Sequence, residues 1–112
     1  MLNFIENEKE LRCCFSGTMD TLACDRITPV LKQKIQEVLS KYPDIRLIFD
    51  LKNTGYITSA FLGLCVFCHS QFGKQRFSIL NLDENIKRVF EVSGLLGIMD
   101  MTSPGSQFDI TG

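Results

Sequence analysis

The centre of the chain constrains its fold more than any other part. The stretch "IRLIFDL", Ile45 to Leu51, is short and rich in branched and aromatic residues, and it reads as a central strand. After the connection "KNTGY" comes the most apolar run of the sequence, in a helix expected from about Ser59 to Phe72. Gly73 is placed to end that helix. Its apolar residues, Phe61, Leu62, Leu64, Cys65, Val66, Phe67 and Cys68, go right around the axis. A helix of that kind needs a sheet on one side. Its other side must be covered by a neighbouring helix or remain a sticky patch.

The flanking segments supply the rest of such a layer. Leu2 and Phe4, the charged turn "ENEKE" and Leu11 to Phe15 predict a hairpin. "SGTMD" is expected to break the second strand at its glycine and to place Asp20 ahead of a helix. From Thr21 to Tyr42 the apolar residues are Leu22, Ile27, Val30, Leu31, Ile35, Val38, Leu39 and Tyr42; from Ile27 onward they step mostly by three and four, with Lys32, Lys34, Gln36, Glu37 and Lys41 on the wet side. Pro43 stops that helix. "RFSIL" is a further strand, and Asp83 can cap a third helix whose Ile86, Val89 and Phe90 pack inward, with Gly94 just past its end. "GIMDM" predicts a last short strand. The order β-β-α-β-α-β-α-β defines an α/β (α+β-like) domain over residues 1–101: a mixed β-sheet with helices packed against it. Residues 102–112 are small and polar, and poor order is expected there.

Composition narrows the function. Hydrophobic residues make up 45% and charged residues 22%, a balance that suits a packed domain rather than a disordered chain. The net charge is −1 with both signs interleaved, so no basic patch points to nucleic acid. The amino terminus lacks the pattern of a secretory signal, and the longest apolar run, Ala60 to Cys68, is about half the length of a membrane span. A soluble, cytoplasmic protein is expected, with its five cysteines as free thiols and no cofactor.

Two groups could carry chemistry. Cys65 and Cys68 with His69 have the spacing of a redox or metal motif. They lie about two turns inside an apolar helix, however, where burial raises a thiol pKa and the helix dipole gives no help. Cys13 and Cys14 are neighbours on a strand and point to opposite faces, so they cannot complete a zinc site. These cysteines are expected to fill space, and no metal and no catalytic residue is assigned. Thr58 and Ser59 fall at a helix start, where a hydroxyl serves as a cap. A phosphate there is also favoured, by free N–H groups and the helix dipole. Leu62 stands where a capping box would need Glu or Gln. A partner surface packed over that hydroxyl would not tolerate the added charge.

The strand "IRLIFDL", the loop "KNTGYITS" and the helix beginning "SAFLGL" resemble the central signature of the STAS domain of anti-sigma factor antagonists. In that family a strand ends near an Asp or Asn and a D-S-x-G-L-G motif opens the second helix. Asp50 takes the strand-end position, Ser59 falls on the phosphorylated serine, and Leu62 and Gly63 match the L-G. "SGTMD" resembles the family's G-x-x-D turn through Gly17 and Asp20, and "VFEVSGLLGIM" its S-G-L through Ser93, Gly94 and Leu95. The match spans roughly Leu11 to Met101. Thr58 departs from the pattern where an acidic residue is usual. Ala60 and Phe61 depart from it too, and Phe61 brings a bulky ring within a turn of Ser59.

The resemblance implies a bacterial anti-sigma factor antagonist that acts by occupation, not catalysis. Unphosphorylated, it would bind an anti-sigma factor that is itself a serine kinase. Phosphorylation at Ser59, with Thr58 as a minor alternative, would end that binding, and a serine phosphatase would restore it. The implied docking residues are Gly17, Asp20, Thr54, Tyr56, Thr58, Ser59, Leu62 and Gly63. Two other readings stay open. One is a STAS-like interaction module with no phosphate cycle, serving as a regulatory subunit of a transport system or in a scaffold assembly. The other is a small thiol oxidoreductase using Cys65 and Cys68.

Overall fold

The computed structural model describes residues 1–102. Five strands and three helices follow one another as expected: β1 (Leu2–Glu6), β2 (Glu10–Met19), α1 (Thr21–Lys41), β3 (Arg46–Ile57), α2 (Ser59–Phe72), β4 (Phe77–Leu80), α3 (Glu84–Val92) and β5 (Asp100–Met101). The strands lie in sequence order in a single mixed sheet. β1 runs antiparallel to β2, and β2 through β5 are parallel neighbours. All three helices bury residues in one core against the sheet, as the nearly universal right-handed crossover would place them.

That face holds the core. Leu11, Cys13 and Phe15 of β2, Leu47, Phe49 and Leu51 of β3, and Phe77 and Ile79 of β4 are buried on it. At its centre Phe49 meets Phe15 edge-on at 4.8 Å and Phe77 at 5.0 Å. Phe61 of α2 closes on Phe15 at 5.1 Å and on Phe49 at 6.0 Å. Phe61 is fully buried, so its ring points into the sheet and does not crowd Ser59, contrary to the expectation from spacing along the chain. On the opposite face, Asp50 takes a bond from Asn81 Nδ2 (2.8 Å) and pairs with Arg12 (3.4 Å). Asn81 has φ of +63°, in the left-handed region, and the Asp50 carboxylate holds it there.

Two connections differ from expectation. Gly17 does not end β2: it adopts φ of +88° at an irregularity, and the strand continues to Met19. "KNTGY" is not a loop but the upper half of β3, which keeps pairing with β2 as far as Met19 opposite Ile57. Pairing supplied by a distant segment overrides the weak strand propensity of Asn53 and Gly55. α1 begins at Thr21, as read from the sequence, where Asp20 accepts the Ala23 N–H (2.9 Å). Pro29 sits inside α1 on its exposed side, giving up one backbone donor. Leu22 and Val30, read among the apolar residues of this helix, are exposed, and Lys34, expected on the wet side, is half-buried against Glu6 (2.7 Å).

The flank of α2 is covered by α1. Lys32 Nζ lies 4.4 Å from the centre of the Phe67 ring, while Val66 stays exposed. α2 ends at Gly73, with φ of +81°, as read from the sequence. α3 is capped by Asp83 through Ile86 N–H (2.9 Å) and buries Ile86 and Phe90. The expected polar tail lies outside the described residues except for Thr102, which is tied to the fold: its N–H donates to Ile79 (2.9 Å), and its carbonyl accepts from Leu82 (3.1 Å). Because Phe61 joins α2 to two strands, Phe61→Ala should lower stability by about 3–5 kcal/mol. Urea unfolding followed by circular dichroism would measure this.

Candidate functional site

The expected site residues collect where β2 and β3 end and α1 and α2 begin. Thr58 is the N-cap of α2, in extended conformation, and Ser59 is the first helical residue and exposed. The hydroxyl expected to cap the helix does not do so. Thr58 Oγ1 donates instead to the Met19 carbonyl (3.1 Å), which also accepts the Thr58 N–H (3.2 Å). The Thr58 carbonyl accepts from Phe61 N–H (3.0 Å) and Leu62 N–H (3.1 Å), starting the helix. Among the described residues the N–H groups of Ser59 and Ala60 have no acceptor. α2 is thus the one helix of the three described whose start lacks a side-chain acceptor; Asp20 and Asp83 serve the others. The positive end of its dipole is open beside Ser59.

The eight predicted docking residues divide by burial. Gly17, Asp20, Tyr56, Ser59 and Gly63 are exposed, and Thr58 is half-buried. Thr54 and Leu62 are buried, which corrects their placement on the surface. Thr54 Oγ1 donates to the Phe15 carbonyl (3.0 Å), and Leu62 packs into the core, so both act on this corner from within. The Met19 carbonyl, which receives Thr58, is a main-chain group and carries no sequence signal.

The thiols lie elsewhere and are unsuited to attack. Cys13, Cys24, Cys65 and Cys68 are buried. Burial pushes the Cys13 and Cys65 thiols well above their ordinary range, with neighbouring thiols adding to it. Cys68 is pushed up to about 12 by burial, against a smaller opposing pull from Lys32. An attacking thiol needs the opposite shift, which removes the physical basis of the oxidoreductase reading. Among the described residues no group of three or more His, Cys, Asp or Glu side chains converges as a metal site. Among those residues, no helix is long and apolar enough to cross a membrane.

The fold is that of the anti-sigma factor antagonist (STAS) domain, as the sequence resemblance implied. An anti-sigma-factor antagonist (STAS) domain protein from Planctomyces limnophilus superposes with a TM-score of 0.77 at 11% identity, over 98% of this chain and 96% of that one. SpoIIAA in its unphosphorylated form gives 0.72 at 17% identity, over 99% and 96%. The phosphorylated form of Bacillus SpoIIAA gives 0.66 at 16% identity, over the full length of both. In sequence, the chain is 29% identical over 100 residues to the anti-sigma-B factor antagonist of Bacillus subtilis (strain 168), covering 88% of this chain and 86% of that protein. No protein-family model matches the chain.

The burial pattern leads to a direct test of the cysteines. At pH 8 a thiol reagent should modify Cys14, the half-buried thiol, in the native protein. All five cysteines should react once guanidinium unfolds the chain. Peptide mapping after a timed iodoacetamide pulse distinguishes the two patterns, and rapid native labelling of Cys65 or Cys68 would contradict the core assignment.

Proposed function

We propose that this chain is a cytoplasmic anti-sigma factor antagonist switched by phosphorylation of Ser59. In this reading the unphosphorylated form binds an anti-sigma factor that is also a serine kinase, a phosphate on Ser59 releases it, and a serine phosphatase resets the cycle. Gly17, Asp20, Tyr56, Thr58, Ser59 and Gly63 form the docking surface, with Thr54 and Leu62 supporting it from inside. The observation that carries the proposal is the exposed Ser59 hydroxyl at the uncapped start of α2. The STAS fold and the 29% identity to the Bacillus subtilis antagonist support it.

The same geometry favours Ser59 over Thr58 as the acceptor. Thr58 is half-buried and its hydroxyl is engaged with Met19, so a phosphate there would first have to break that bond. At Ser59 a phosphate of about −2 charge gains the helix dipole and the open N–H groups, so the fold tolerates it. A partner closed over Ser59 would have to bury that charge. Each 1.4 kcal/mol of that cost lowers affinity about tenfold, and a few such steps suffice for release. The absence of a carboxylate at Thr58, where the family pattern has one, favours a second reading: a static STAS interaction module with no phosphate cycle.

Tandem mass spectrometry of the tryptic peptide Asn53 to Lys74 from protein purified from its native host decides between the two. The peptide carries Thr54, Thr58, Ser59 and Ser70. Phosphate on Ser59 that comes and goes with growth state is the expected result. An unmodified peptide across stress, starvation and growth would favour the static module. Ser59→Asp should weaken binding to the anti-sigma factor about tenfold or more while Ser59→Ala retains it, as titration calorimetry would show.

A further inference from the structure

The corner that carries Ser59 is held by side-chain hydroxyls at a place where the sheet ladder is irregular. The pairing of β2 with β3 shifts register between Cys14 and Ser16 and again between Gly17 and Thr18. An irregular ladder leaves main-chain carbonyls without their regular N–H partners. Two carbonyls of this part of β2, four residues apart, take hydroxyl bonds from two threonines four residues apart on and just beyond β3, and the Met19 carbonyl also keeps a main-chain bond from Thr58 N–H (3.2 Å). Thr54 Oγ1 bonds Phe15 (3.0 Å) and Thr58 Oγ1 bonds Met19 (3.1 Å). Met19 is fully buried, so a hydroxyl donor lost there is not replaced by water. Its carbonyl also receives Cys24 Sγ of α1 at 3.9 Å. One oxygen therefore gathers the end of β2, the first turn of α1 and the cap of α2.

From this we infer that Thr58 is a positioning residue for Ser59. Its hydroxyl adds a side-chain bond to the main-chain bond that ties the start of α2 to the end of β2, and so helps to set where the Ser59 hydroxyl stands. Because the hydroxyl donates to Met19, it is turned away from the helix start, and the Ser59 and Ala60 N–H groups stay open. The same hydroxyl bond thus helps to place the serine and, among the described residues, leaves the helix start without a side-chain cap. The inference takes from the reading above only the role of Ser59 as the modified residue; the anchoring itself does not depend on that role.

Thr58→Val keeps the side-chain shape and removes the donor, and Thr58→Ser restores the donor. Native-state amide hydrogen exchange by NMR is the first readout. In Thr58→Val the Phe61 and Leu62 amides, which bond the Thr58 carbonyl, should exchange about fivefold faster or more. The Phe72 amide, at the far end of α2, should keep its rate, and Thr58→Ser should behave as wild type. The second readout is the phosphorylated fraction of Ser59 in host cells, from the same tryptic peptide. It should fall several-fold in Thr58→Val, at equal protein level, and recover in Thr58→Ser. Unchanged exchange at Phe61 and Leu62 in Thr58→Val overturns the inference, and so does faster exchange with an unchanged phosphorylated fraction. If wild-type Ser59 carries no phosphate, the reading of Ser59 as a switch fails while the exchange experiment still decides the anchoring. Thr58→Ala replaces the valine variant if that one does not fold.

Discussion

Phe49 is the residue around which the rest of this structure is arranged. It lies on the middle strand and touches rings from the strand on each side and from α2. Edge-to-face packing of this kind favours particular ring orientations, so it orients the elements as well as burying them. The consequence reaches the surface through Phe61, two residues after Ser59. With the Phe61 ring locked between Phe15 and Phe49, the axis of α2 and the placing of its first turn are fixed from inside. The surface serine rests on an aromatic anchor and a polar one, the first below it and the second beside it.

The electrostatic character of the site follows from what is missing as much as from what is present. Asp20 and Asp83 bring an oxygen to the starts of α1 and α3, and each thereby satisfies one donor there. The start of α2 receives no such oxygen, although a hydroxyl-bearing residue occupies its cap position. The Thr58 hydroxyl is oriented toward the buried Met19 carbonyl, which also takes the Thr58 N–H, and in that orientation it makes no bond to the N–H groups of the helix start, which lie where water can reach them.

Much of the fold was legible in the sequence because its main signals are local. The bounds of α2, the stop at Gly73, the Asp83 cap and the order of strands and helices all follow from residue type and period. The misread places depend on distant partners. "KNTGY" has the composition of a loop and becomes a strand only because β2 lies alongside it. Lys34 leaves the wet side because Glu6, far away in sequence, comes within reach. Thr54 looks like a surface loop residue until the Phe15 carbonyl claims its hydroxyl. For the site, the serine could be found from sequence, through a family resemblance and its place at a helix start. The carbonyl that holds its neighbour could not.

The lopsided pairing of β3 has a further consequence. β4 matches only Leu47 to Asp50, while β2 accompanies β3 on to Ile57. Along this one strand the lower half is laddered to both neighbouring strands and the upper half to one. Cooperative opening in proteins follows such differences in support, so the upper part of β3 is expected to loosen more readily than the lower part. The serine sits just beyond the upper part. In the proposed reading, a phosphate on Ser59 would act on this less supported section of the sheet, away from the aromatic centre.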